Sequence, residues 1–247
     1  MVKKLGKHTP YFELLEAQAK PGCSICRLIY RATDRYLDSL LYEAVLDPHV
    51  RAKLKTSQGF CREHVAMLRR KPGRALGVAL IYRDIVRDLV ERLSVKPPRK
   101  SLLTQMRDLL PRPRRLASLE ATTECPACLI AQRHEDSYLE LLLAHLDDPE
   151  LYEAFAQGEG LCLAHLLRAR ERVKDPETLA RLVQPQIERY TVMLHELDEF
   201  IRKRDHRFRH EPMGPEGDVW LRGMNAIAGG AGLGLSATSG GRQTEDF

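Results

Sequence analysis
Cys23-Ser24-Ile25-Cys26, followed by Gly59-Phe60-Cys61-Arg62-Glu63-His64, and Cys125-Pro126-Ala127-Cys128, followed by Gly160-Leu161-Cys162-Leu163-Ala164-His165, are two renderings of one pattern. Each reads C-x2-C, a long spacer, then G-[FL]-C-x2-H. Together they use all six cysteines of the 247-residue chain. Three thiolates and one imidazole per copy are the ligand types and number of a closed tetrahedral zinc site. The spacers, 34 residues from Arg27 to Phe60 and 33 from Leu129 to Leu161, are far longer than those of zinc ribbons or C2H2 fingers. The metal is therefore expected to brace a larger helical unit rather than stand in for a core.

The duplication extends past the ligands. A shift of 102 residues places Tyr36-Leu37 on Tyr138-Leu139 and Leu40-Leu41 on Leu142-Leu143. After a one-residue deletion the shift is 101, and Asp47-Pro48 falls on Asp148-Pro149, Leu54 on Phe155, and Gly59 on Gly160. Ligands, apolar positions and a turn repeat together, as they do when one structural unit is copied. Leu, Ala, Arg and Glu dominate with apolar spacings of three and four, the periodicity of helices rather than strands. The spacing predicts helices over 24–45, 48–56, 62–70 and 74–93, and again over 126–146, 149–157, 163–173 and 176–204. Pro48, Pro126, Pro149 and Pro176 open helices, where the missing N–H costs nothing. Pro185 falls inside the last helix and is expected to kink or split it.

The expected fold is all-α: two pseudo-symmetric units over 10–95 and 121–205, each braced by its own Cys3His site. The first site would be Cys23, Cys26, Cys61 and His64; the second Cys125, Cys128, Cys162 and His165. Residues 96–120 form a basic Pro/Arg-rich linker with net charge +6 between Lys96 and Arg115, more than the +5 of the whole chain. Residues 206–247, ending in a Gly-rich run, are expected to be a disordered tail. Trp220-Leu221 within it suggests a short docking element.

These features bound the chemistry. No N-terminal apolar stretch has signal-peptide length and no run of eighteen apolar residues exists, so a cytoplasmic protein without a membrane span is expected. In that setting cysteines are metal ligands rather than disulfides, which would also leave both matched histidines unexplained. Four protein ligands leave no open coordination position, which points to two structural zinc ions. Iron–sulfur clusters are the alternative cofactor, because Cys3His can hold them. Cys125-Pro-Ala-Cys128 also has the form of a redox dithiol, but the βαβ context of such motifs is missing. The stretches Lys96–Arg115 and Arg202–His210 offer phosphate contacts to nucleic acid, or are a solvated linker and cations at a helix C-terminus. Glu135-Asp136 and Asp147-Asp148 read as solvated pairs, and His49, His134, His145 and His195 as surface or packing residues. No catalytic constellation emerges.

The twin motifs resemble those of a bacterial family of unknown function, whose helical members carry CP-x-C and GFC-x-x-H elements twice. The resemblance covers about residues 10 to 205. Ser24 stands where the pattern has proline and Leu161 where it has phenylalanine; neither is a ligand. The resemblance implies the fold and the eight ligands and carries no activity. The function expected is a non-enzymatic interaction or adaptor module with a protein partner. An iron–sulfur redox or oxygen-responsive protein and a nucleic-acid-associated regulator are the alternatives.

Overall fold
Aspartates and prolines punctuate the chain. Asp47 and Asp148, equivalent in the two repeats, cap their helices with the same carboxylate geometry. Asp47 accepts from the backbone N–H of His49 and Val50, and Asp148 from those of Glu150 and Leu151. Each such cap contributes about 1 kcal/mol by satisfying donors that no helical carbonyl can reach. The structure, a computed structural model, describes residues 8–94 and 121–230. The linker expected over 96–120 and residues 231–247 of the expected tail lie outside them.

The helices are α1 Thr9–Gln18, α2 Ser24–Glu43, α3 Pro48–Thr56, α4 Arg62–Arg69, α5 Ala75–Ser94, α6 Pro126–Ala144, α7 Pro149–Gln157, α8 Leu163–Arg172, α9 Pro176–Arg204 and α10 Val219–Ala228. A 3-10 turn, Pro215–Asp218, leads into α10. No strand occurs among the described residues, and the fold is all-α. The eight helices anticipated from periodicity agree to within two residues at each end. Two others were not anticipated as helices, although Trp220-Leu221 marks a short docking element within the second. Pro10 starts α1, which buries Tyr11, Leu14 and Ala17. In α10, Val219 is fully buried. The expectation of disorder from residue 206 is thus corrected over 206–230, where apolar residues at helical spacing outweigh the surrounding glycines. Pro185 does not split α9. The helix runs unbroken from Pro176 to Arg204, with Leu182, Pro185 and Gln186 buried on one side. Proline cannot donate to the Arg181 carbonyl, but packing of that side retains the helix.

The compact units are not the sequence repeats. One lies within Met1–Ala32 and Gln132–Phe247, the other within Thr33–Ala131. Both α2 and α6 therefore contribute residues to each. In the discontinuous unit, Tyr11 and Leu14 of α1 pack with Ile25 and Leu28 of α2, Leu139 and Leu142 of α6, and Leu151 and Phe155 of α7. Gly158, after α7, has no side chain because the Gln18 carbonyl at the end of α1 occupies the place of a Cβ. In the central unit, Leu37, Leu40 and Leu41 of α2 pack with Leu54 of α3, Leu68 of α4, and Ile81 and Ile85 of α5. Asp84 of α5 binds Arg51 of α3 (2.7 Å), and Asp88 pairs with Lys55 (2.8 Å). No helix of the described residues is long and apolar enough to cross a membrane.

Candidate metal centres
Each C-x2-C motif straddles the start of a long helix, α2 or α6, and each C-x2-H the start of a short one. Cys61 and Cys162 are the N-cap residues of α4 and α8, extended at φ −66° and −69°, and neither thiol caps its own helix. His64 and His165 follow within the first turn. The helix starts supply partial positive charge that favours thiolate over thiol. The glycine of each motif is required by its backbone: Gly59 has φ 87° and Gly160 has φ 72°. A Cβ on Gly160 would overlap Gln186 Oε1 and the Arg189 guanidinium, whereas one on Gly59 would meet the movable ends of Ile85 and Tyr82 at 3.2 Å. Gly160→Ala should therefore lower stability by at least about 2 kcal/mol, the left-handed backbone of a non-glycine residue accounting for 1–2 kcal/mol of it. Gly59→Ala should cost less. Thermal melts of the two variants check the order.

All eight sequence-predicted ligands gather into two clusters, but not as the repeats suggested. Cys23 and Cys26 meet Cys162 and His165; Cys125 and Cys128 meet Cys61 and His64. Each cluster joins the C-x2-C of one copy to the C-x2-H of the other, which corrects the expectation that each repeat closes its own site. The physical reason is the register of the helices inside each repeat. Glu135, two turns along α6 from Cys128, has Oε1 3.3 Å from His165 Nε2. His165 therefore packs beside the part of α6 that belongs to its own compact unit, whereas Cys125 and Cys128 fall in the other. The first repeat keeps the same register. Lys71 binds Asp34 on α2, and its equivalent Arg172 binds Asp136 on α6.

The donor atoms suit one ion per cluster. In the discontinuous unit His165 Nδ1 lies 3.3, 3.4 and 3.2 Å from the sulfurs of Cys23, Cys26 and Cys162, and the Sγ atoms of Cys26 and Cys162 are 3.8 Å apart. In the central unit His64 Nδ1 lies 3.1, 3.6 and 3.5 Å from those of Cys61, Cys125 and Cys128, and Cys128 is 3.6 Å from Cys61. All donors of a cluster fall within 4.8 Å of one another. A tetrahedron with metal–sulfur bonds of about 2.3 Å and metal–nitrogen bonds of about 2.0 Å has S···S edges near 3.8 Å and S···N edges near 3.5 Å. Both clusters can coordinate a metal ion through Nδ1.

Electrostatics inside the clusters are those of crowded thiols. Burial, with the neighbouring sulfurs of Cys162 and Cys26, raises the Cys23 thiol well above its ordinary value. Burial and the hydrogen bond to Cys61 push Cys128 up to about 12. Hydrogen bonds from Cys23 and Cys26 hold Cys162 far below the ordinary range for a thiol. Burial opposes charge on His165, but hydrogen bonds to Cys162 and Cys26 outweigh it and raise the imidazole to about 10. Such groups carry protons or charge that a cation replaces.

Other expectations meet the structure individually. Glu135-Asp136 is not a solvated pair: Glu135 binds His165 and Arg168, and Asp136 binds Arg168 and Arg172. Their spacing from His165 was the available signal, but it has meaning only once α6 and α8 are known to pack side by side. Asp148 is a helix cap that also accepts from Tyr11 Oη at 3.0 Å. The Tyr138 hydroxyl donates to Glu13 (2.6 Å), and buried His145 packs edge-on against Tyr11, a packing residue as expected. In the basic stretch 202–210, Arg202 is bound by Glu199 and Glu211, Lys203 by Glu216, and Arg207 by Asp205.

The chain is 24% identical over 218 residues to an uncharacterized 23.9 kDa protein in the xynA 3' region of Caldicellulosiruptor sp. (strain Rt8B.4), an alignment covering 87% of this chain and 99% of that protein. No solved structure matches the chain. A family model described as a family of unknown function (DUF6062) matches residues 10–232, spanning both C-x2-C motifs, both C-x2-H motifs and α10; the chain belongs to that family.

Proposed function
We propose that this chain is a non-enzymatic interaction module whose two Cys3His centres each hold a structural zinc ion. The observation that carries the reading is the spacing of the donors. Four ligands enclose each centre at the edge lengths of a single tetrahedral ion, with no position left for a substrate. A multi-iron cluster interposes several metal and sulfide atoms between its ligands, so donors packed this closely favour zinc over the iron–sulfur alternative. A protein partner is supported by α9, where Ile187, Leu194 and Ile201 recur every seven residues at 52%, 60% and 65% exposure. That spacing forms an apolar seam on one side of a helix. The nucleic-acid alternative is weaker for the 202–210 stretch, because its carboxylate partners already engage Arg202, Lys203 and Arg207.

Elemental analysis with an absorption spectrum on anaerobically purified protein tests the reading. Two zinc equivalents per chain and no visible band are expected. Iron with acid-labile sulfide and a visible charge-transfer band would overturn it.

A further inference from the structure
The two centres share ligand types but not their surroundings. In the discontinuous unit, Glu135 places Oε1 3.3 Å from His165 Nε2, the nitrogen facing away from the sulfurs, and Arg168 holds the other carboxylate oxygen. Such a carboxylate orients a metal-binding imidazole and raises its basicity. The matched Lys71–Asp34 and Arg172–Asp136 pairs show that α2 and α4 pack in the register of α6 and α8. Thr33 therefore occupies the position of Glu135, and Met67 that of Arg168. Thr33 is 1% exposed and its hydroxyl has no hydrogen-bond partner. Among the described residues no carboxylate lies within ion-pair distance of His64. The sulfurs differ as well. Cys162 is 1% exposed whereas its equivalent Cys61 is half-buried. Gly229, at the end of α10, packs so closely on the first cluster that a Cβ there would lie 3.4 Å from the sulfurs of both Cys26 and Cys162.

Resting on the metal reading above, we infer that the centres are functionally unequal. Cys23, Cys26, Cys162 and His165 form a permanent site, and Cys61, His64, Cys125 and Cys128 form an exchangeable one that yields its divalent cation first to a competing chelator. Glu135 is the positioning residue that separates them. Its loss removes the support of one imidazole and narrows the difference between the two sites.

The test uses full-length protein whose zinc content has first been measured, mixed with excess 4-(2-pyridylazo)resorcinol and followed by the colour of the zinc–dye complex. Release in two phases of one equivalent each is expected, with rates separated by about tenfold or more, the usual effect of such an outer-shell partner. Cys128→Ser should delete the fast phase and Cys26→Ser the slow one. Glu135→Gln, which keeps size and fold, should speed the slow phase by about 10–100-fold. The pair Thr33→Glu, Met67→Arg should slow the fast phase. A single phase of two equivalents, or loss of the slow phase in Cys128→Ser, overturns the inference while leaving structural zinc standing. Fewer than two equivalents before dye is added overturns both.

Discussion

Cys26→Ser should loosen the backbone around Cys162 and His165, 136 and 139 residues away, and leave Cys61 and His64 of its own repeat protected. The crossed clusters require this outcome, because Cys26 shares its donor set with Cys23, Cys162 and His165 and with neither Cys61 nor His64. Removing one thiolate leaves three ligands around the ion and releases the starts of α2 and α8 together. A stability loss on the order of 4 kcal/mol is expected, the upper end for single substitutions and typical when a metal ligand is lost. For a chain of this size that is a fall of melting temperature on the order of 10 °C. Hydrogen exchange resolved by peptide separates the two pairings: faster exchange at 160–168 with no change at 58–66 is expected. The reverse pattern would restore the same-repeat pairing and dismiss the crossed one.

Stripping both of the proposed zinc ions should abolish cooperative unfolding of the whole chain. A structural zinc contributes on the order of 10 kcal/mol of apparent free energy, and a typical protein is stable by only about 5–15 kcal/mol in total. Two ions therefore outweigh the net stability left by the hydrophobic cores. Without them, at neutral pH, the raised thiols of Cys23 and Cys128 bind protons. A protonated thiol does not hold four helix starts together. The expected result in excess chelator is a broad, non-cooperative thermal transition with much of the helical circular dichroism retained at low temperature, and recovery of the sharp transition on adding zinc. A sharp melt at an unchanged temperature would show that the clusters contribute little to stability and would sink the structural role.

Much of the fold was legible because the signals are local. Asp47 and Asp148 cap their helices through their own following N–H groups, and Pro48, Pro126, Pro149 and Pro176 lie where a first turn needs no donor. Gly59 and Gly160 announce positive φ. Such features depend on a few neighbouring residues, so the sequence contains the whole cause. What the sequence missed or left open has non-local causes. Continuity of α9 through Pro185 is upheld by burial of Leu182 and Gln186 beside it. The position of α10 depends on contacts such as the Glu196–Arg222 pair (2.7 Å) that a glycine-rich composition hides. Glu135 and Asp136 look like any exposed acidic pair until α8 is laid against α6.

The sequence by itself determined which eight side chains could hold metal, because three cysteines and a histidine repeated at matched spacing have few other uses, and the helical class, because periodicity is written residue by residue. Only the tertiary structure decided which ligands share an ion. Duplication makes the two C-x2-H motifs equivalent partners for either C-x2-C, so no spacing rule distinguishes them. The choice falls to the packing of the helices into compact units that divide α2 and α6, so that each unit holds the C-x2-C of one copy and the C-x2-H of the other.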